Sequence, residues 1–206
     1  TNVTSSNDGV NASMGTTTGG TESNDGSNIY IKGGILIVAG SDGIDSNGNI
    51  TITGGTTIVG GPTSQPEEGI DVNGNFLVNG GILISGGSNA RMTKAMSTNS
   101  TQVSMYITAS AQVAASSVLH IEDASGKDMV TFKPKNGNYY FHFSNPSLQK
   151  NVQYKIYYGG TYTGGSFVGG SSGWGLYTGG TYSTSGATLK STTTTSSSAT
   201  VNTISF

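Results

Sequence analysis

Two stretches of the chain, SDGIDSNGNITITGGTTIVGG at 41–61 and EEGIDVNGNFLVNGGILISGG at 67–87, are copies of one pattern offset by 26 residues. A looser third copy precedes them: NDGVNAS at 7–13 opens it and NIYIKGGILIVAG at 28–40 closes it, with the loop SMGTTTGGTESNDGS inserted between. Each copy runs acid, Gly, Val or Ile, then Asn or Asp, followed by a short strand-like run, a Gly-Gly pair and a second run. A period of this size built from short strands is the sequence form of a β-solenoid, in which each copy buries its apolar side by stacking on its neighbours. Ile50 and Ile52 alternate with Thr51 and Thr53, and Ile29 with Ile31 and Phe76 with Val78 take the same places in the other copies. Beyond each Gly-Gly corner, the pairs Ile35 and Ile37, Thr56 and Ile58, and Ile82 and Ile84 are expected on that same apolar side. Stacked rungs about 4.8 Å apart would place like on like and pair each strand with the copies above and below.

Composition supports strands throughout. The chain has 206 residues, 33% of them apolar and 10% charged, with 33 glycines and abundant Ser, Thr and Asn, so tight turns are cheap and helices disfavoured. The expected fold class is all-β: a short right-handed parallel β-helix over residues 1–90, followed by a small antiparallel β-sheet or sandwich over 91–206. Charge divides at the same place. Residues 1–90 hold Asp8, Glu22, Asp25, Asp42, Asp45, Glu67, Glu68 and Asp71 against Lys32 alone, whereas 91–206 hold eight Lys or Arg against Glu122, Asp123 and Asp128. Cysteine is absent, which excludes disulfides and thiolate metal sites. No apolar run approaches the length that spans a membrane, so membrane insertion is not expected. The N-terminus lacks the basic and apolar regions of a signal peptide, so an extracellular or cell-surface protein would be represented here in its processed form. Negative net charge and the lack of an Arg-rich stripe argue against nucleic acid.

The segments SDGIDSNGNITITGGTTIVGGPT and GIDVNGNFLVNGGILISGG, with the later WGLYTGGTYS, resemble the bacterial carbohydrate-binding β-helix family whose clostridial member binds cellulose and acidic sugars. The resemblance spans most of the chain. It implies a right-handed parallel β-helix like that of polysaccharide lyases, calcium in the acidic turns, and binding without cleavage. The chain departs from the family at Glu67-Glu68, and it lacks further N-terminal rungs that family members carry.

The acidic positions carry the clearest chemistry of the first half. In register, Asp8, Asp42 and Glu68 form one column and Asn11, Asp45 and Asp71 another. Stacked carboxylates repel unless they are protonated or bridged, and calcium, which takes oxygen ligands only, is the natural bridge; turn chemistry alone is the plain alternative. Arg91 and Lys94 follow the last rung. A structural role or binding of a sugar carboxylate is the expected reading, and proton abstraction in a calcium-dependent lyase the catalytic alternative.

From about residue 100 the pattern lengthens. TQVSMYITAS, SVLHIEDASGKDMVTFKP, NYYFHFSNP and VQYKIYYGGTYTGG read as antiparallel strands, with DASGKD and PKNGN as hairpin turns. GGTYTGG at 159–165 and TGGTYST at 178–184 echo each other. Tyr and Phe of 139–143 are expected in the core, whereas for Trp174 and Tyr177, set among Gly and Ser, filling the sheet core and stacking on pyranose rings stand as equal readings. His120 and His142 read as ordinary strand residues. The tail STTTTSSSATVNTISF is either the last strand of its own sheet or a strand offered to a neighbouring molecule. The expected function is therefore non-catalytic, calcium-dependent polysaccharide binding to cellulose or acidic pectic glycans. A self-assembling surface fibre, built end to end, is the second reading, and a calcium-dependent lyase the third.

Overall fold

A computed structural model describes residues 1–15, 23–88, 92–171 and 173–206. The protein is all-β: the described residues form seventeen strands and no helix. The first eight are β1 (Asn2–Thr4), β2 (Val10–Ala12), β3 (Asn28–Ile31), β4 (Ile35–Ala39), β5 (Ile44–Ser46), β6 (Asn49–Gly60), β7 (Ile70–Val72) and β8 (Phe76–Gly87). Then follow β9 (Ser104–Val113), β10 (Leu119–Asp123), β11 (Asp128–Lys133), β12 (Asn138–Ser144) and β13 (Gln153–Thr163). The last are β14 (Ser166–Gly169), β15 (Gly175–Thr178), β16 (Thr181–Thr194) and β17 (Val201–Ser205).

Every pairing within β1–β8 is parallel, and like residues stack as the repeat requires. Ile50 lies opposite both Ile29 and Phe76, Ile58 opposite Ile37 and Ile84, and Ile44 opposite Val10 and Ile70. Two ladders result: a small sheet ordered β2-β5-β7, and the first part of a larger mixed sheet ordered β1-β4-β6-β8-β12-β9-β17, with β3 also on β6. The strand direction changes at β12, which is antiparallel to both β8 and β9. Residues on either side of position 90 thus share one continuous sheet. A six-stranded antiparallel sheet, β14-β15-β11-β10-β13-β16, packs on it.

The Gly-Gly corners correct the expected facing. Gly55 and Gly81 adopt φ of 81° and 83°, and a Cβ on either would lie within 2.6 Å of the carbonyl oxygen of the corner below. The β6–β8 register also slips at Ile52/Thr53, on the near side of the corner. Inward-pointing parity therefore flips. Ile50, Ile52, Phe76 and Val78 share one core with Val38, Val59 and Leu83, while Ile37, Ile58 and Ile84 point away from it into the core beneath the antiparallel sheet. The long mixed sheet is thus a middle layer. One face closes the core of the repeats; the other meets Leu119, Ile121, Phe132, Tyr154 and Ile156.

DASGKD turns the β10–β11 hairpin as expected. PKNGN does not: it carries the chain from β11 in the antiparallel sheet to β12 in the middle sheet, because Phe141 and Phe143 are needed opposite Gly86 and Ile84. Tyr140, Phe141 and Phe143 are fully buried there. The tail takes the plain alternative. Val201–Ser205 pairs in parallel with Ser104–Thr108 of the same chain, and Ile204 enters the core. The echoing segments are also partners, with Thr161, Tyr162 and Thr163 opposite Ser183, Tyr182 and Thr181.

Candidate functional site

The acidic columns form as the repeat dictates. Asn11, Asp45 and Asp71 are register partners across β2, β5 and β7. Gly9 N–H donates to Asp42 O at 2.9 Å and Gly43 N–H to Glu68 O at 3.1 Å, so Asp8, Asp42 and Glu68 stack just before them. The glycine after each acid is a packing requirement, since a Cβ at Gly9 or Gly43 would fall within 2.3 Å of Val38 or Val59 Cγ1.

The two columns differ in burial and in how their charge is relieved. In the outer positions, the Asn11 amide donates to Asp8 Oδ2 at 2.9 Å and to Asp45 Oδ2 at 2.6 Å. Asp42 and Glu68 lie deeper, 9% and 5% exposed. Desolvation raises the Asp42 carboxyl to about 7, reinforced by Glu67, Asp71 and Asp8 and opposed by the Glu68 N–H that it accepts. Burial likewise raises Glu68 to about 8, with Asp71 and Asp42 adding and Thr93 and Lys94 opposing. These oxygens have the chemistry of calcium ligands. Even so, no three His, Cys, Asp or Glu side chains among the described residues gather as a metal would require. The Asn11 nitrogen, not its oxygen, faces the carboxylates. In this geometry protonation and amide donation balance the charge.

Arg91 lies outside the described residues. Lys94 is committed to the acidic corner, its Nζ donating to Val72 O at 2.7 Å. His142, buried in β12, donates through Nε2 to Lys94 O at 2.9 Å, and burial lowers it to about 4, which keeps it neutral.

Trp174 and Tyr177 part company. Trp174 is 4% exposed and belongs to the core, with its indole against the Cα positions of Gly60 and Gly170, so it offers no ring face at the surface. Glycine-rich surroundings here mean that small residues make room for a buried indole. Tyr177 is half-buried on the outer face of the antiparallel sheet, where it joins a row that crosses every strand. Phe167 pairs with Tyr177, Tyr177 with Thr131, Thr131 with His120, His120 with Tyr157, and Tyr157 with Leu189. The β13–β16 ends beyond Gly160 lay further rings onto this row. Tyr162 stacks on Tyr177 at 4.6 Å between centroids, and Tyr182 on His120 at 3.7 Å and 12°.

A polar row runs beside the aromatic one, because Glu122 faces Asp128 on one neighbour and Lys155 on the other. His120, 2% exposed, sits between the carboxylates: Nδ1 is 2.8 Å from Thr131 Oγ1 and 3.8 Å from Asp128 Oδ1, while Nε2 is 3.6 Å from Glu122 Oε2. Glu122 Oε1 also meets Lys155 Nζ at 3.5 Å and accepts from Tyr157 OH at 3.3 Å. Desolvation lowers the His120 pKa against the pull of Asp128 and Glu122, and raises that of Asp128, with His120 and the Thr131 hydroxyl opposing and Glu122 adding. The carboxylates approach opposite ring nitrogens, so they cannot chelate one ion together with His120. A pocket of about 550 Å³ opens above, lined by His120, Glu122, Asp128 and the β16 residues around Tyr182. Reading His120 as an ordinary strand residue missed this cluster. The signal was the alternation in LHIED, which sets His120 and Glu122 on the face opposite Leu119 and Ile121.

No helix among the described residues is long and apolar enough to cross a membrane. Comparison with family models, with curated proteins and with solved structures finds no match.

Proposed function

We propose that the protein is a non-catalytic, extracellular or cell-surface module that binds polysaccharide on the outer face of its antiparallel sheet. The carrying observation is the row of Phe167, Tyr177, Tyr162, Tyr182 and Tyr157 alongside Asp128, Glu122 and Lys155. A pyranose presents axial C–H groups on its faces and hydroxyls around its rim. Rings on a surface shed water against the faces, while carboxylates and an ammonium exchange hydrogen bonds with the rim. Phe167 is 40% exposed, so stacking a sugar there removes apolar area from water. Retention on cellulose, xylan and polygalacturonate columns tests the reading. Wild type should be retarded on at least one, and Tyr177→Ala and Phe167→Ala should elute early with unchanged thermal melting. Equal elution of wild type and both variants would sink it.

The same proposal reads residues 1–90 as a short right-handed parallel β-helix. The support is the in-register stacking of three copies around one core, with the small parallel sheet as one side and the two arms of β6 and β8 as the others. Calcium enters as a stabiliser of its acidic corner, engaged when Asp42 and Glu68 ionise and protonation no longer relieves their repulsion.

A further inference from the structure

The pocket of about 550 Å³ on the antiparallel sheet is lined by two carboxylates, Glu122 and Asp128, and by no Lys or Arg among the described residues. Lys155 meets Glu122 through Oε1 and stays out of the lining. The side chains of Glu122 and Asp128 keep 14% and 42% of their surface open. His120 lies between them, and Thr181, Ser183 and Thr184 flank Tyr182 on the β16 side.

The hydrogens in this cluster can be counted. Thr131 is fully buried, and its hydroxyl has one hydrogen, which it gives to Asp128 Oδ2 at 3.0 Å. Ionised Asp128 can only accept. The 2.8 Å contact between Thr131 Oγ1 and His120 Nδ1 therefore takes its hydrogen from the ring. Desolvation lowers the His120 pKa, so at neutral pH the ring is uncharged, has that one N–H, and leaves Nε2 bare. Opposite Nε2, 3.6 Å away, stands Glu122 Oε2, which is also an acceptor. Two acceptors thus face each other with no hydrogen between them. Nε2 makes no hydrogen bond among the described residues, and unlike His142 Nδ1 it is not sealed from solvent.

We infer that this gap receives the ammonium group of an amino sugar: one N–H donates to His120 Nε2 and a second to Glu122 Oε2, while the sugar ring lies along the aromatic row. Acceptors 3.6 Å apart both lie within reach of one nitrogen at about 2.9 Å from each. A sugar hydroxyl brings one hydrogen and no charge, so it leaves one acceptor unmatched. An ammonium brings three hydrogens and the positive charge that two carboxylates favour. A uronate would set a further negative charge against them, and an N-acetylated sugar keeps one N–H and loses the charge. The assignment rests on polysaccharide binding at the aromatic row, whose polar side then selects the sugar class.

Titration calorimetry at neutral pH with β-1,4-linked tetramers of glucosamine, N-acetylglucosamine and glucose tests it. The glucosamine tetramer should bind at least about tenfold tighter than the other two. Glu122→Gln should bring that ratio to within about threefold without lowering the melting temperature, because the Gln oxygen still accepts from Tyr157 and its amide can donate to His120 Nε2. Tyr177→Ala should weaken all three tetramers alike and preserve the ratio. Ring-nitrogen resonances should show His120 Nε2 bare in the free protein and shifted by the glucosamine tetramer. Equal affinity for the glucosamine and glucose tetramers would overturn the amine assignment and leave the polysaccharide reading standing. Monomeric glucosamine bound, with no tetramer bound, would overturn the polysaccharide reading and support the amine site. Putrescine binding as tightly as monomeric glucosamine, a proton on Nε2 in the free protein, or an unchanged ratio in Glu122→Gln would also overturn the assignment, and no binding of any probe would overturn both.

Discussion

The repeats and the sandwich solve the same problem, burying Ile, Val and Phe in a glycine-rich chain, by opposite routes. In the repeats each strand lies on its own copy: Ile50 on Phe76, Ile44 on Ile70, Asp45 on Asp71. In the sandwich, partners come from unrelated segments, as when His120 meets Tyr157 and Tyr106 meets His142. Stacking by repetition brings like charge onto like charge, and the acidic corner is the result. Pairing by difference lets charges meet their opposites, as Lys155 meets Glu122. The repeats thus stack carboxylates copy on copy, whereas in the sandwich the facing Glu122 and Asp128 have Lys155 and Thr131 as partners. Yet the two share a sheet, with Ile58 facing the sandwich core and Val59 the core of the repeats.

That sharing makes the largest prediction. Ile52→Ala empties volume from the core of the repeats and Ile58→Ala from the other, both residues being fully buried. Each should cost about 2–5 kcal/mol. Because β6 and β8 serve both cores, each variant should lower a single melting transition seen alike by near-UV dichroism, which reports the Tyr-rich sandwich, and by hydrogen exchange of residues 44–59. Two separable transitions, with Ile52→Ala moving only one, would show that the halves fold independently.

Next in size is pH. Asp42 and Glu68 have folded values of about 7 and about 8 against ordinary values of 3.8 and 4.5, so between those limits the native state holds protons that the unfolded chain has released. Their contribution is complete below the ordinary carboxylate range and is lost as pH rises through the folded values. Stability should therefore fall as pH rises across roughly pH 5 to 8, because the unfolded chain releases these protons before the native state does. Asp42→Asn with Glu68→Gln should flatten the profile, since Asn can still accept the Glu68 N–H. Calcium should stabilise wild type above pH 8 and leave the double variant unchanged. Urea midpoints over this range, with calcium or chelator, measure all three, and a wild-type profile flat from pH 5 to 8 would contradict the burial argument.

A smaller effect separates the two aromatic residues that the sequence treats alike. Trp174→Phe should lower the melting temperature, because the buried indole fills space against Gly60 and Gly170. Tyr177→Phe should leave melting in place. If stability responds in the reverse order, the assignment of Trp174 to the core and Tyr177 to the surface is wrong.

These contrasts also explain what was legible in the sequence. The parallel pairing of the copies, their register and the acidic columns followed from the 26-residue offset, because a repeat carries its pairing with it. The facing beyond the corner did not follow. Whether Ile58 or Val59 points inward depends on how Gly54 and Gly55 turn the strand, and glycine permits either parity. The fate of PKNGN was hidden for a similar reason, since a turn of that length joins neighbours in one sheet or crosses between two, and the choice is made by distant Ile84 and Gly86. At the candidate sites, the carboxylate columns were visible as repetition. His120, Glu122 and Asp128 were visible only as alternation on separate strands, with nothing local to say that Tyr182 would lie over them.

The smallest prediction tests the repeats at a buried hydroxyl. Thr57 stands in a column between Leu36 and Leu83, fully buried, with Oγ1 unpartnered among the described residues. Repetition gives the reason, because the position is an apolar rung site in both neighbouring copies. Thr57→Val keeps the shape and the β-branch and removes the hydroxyl. Folding would then no longer strip water from a group that finds no replacement, and the stability should rise by about 1 kcal/mol, with the slope of the urea transition unchanged. The matching change in the sandwich, Thr131→Val, should go the other way, since Thr131 Oγ1 bonds both His120 and Asp128 Oδ2, the latter at 3.0 Å. Opposite signs from one chemical substitution are what stacking like on like and pairing unlike with unlike require; a loss of stability in both would mean that the Thr57 hydroxyl has a partner of its own.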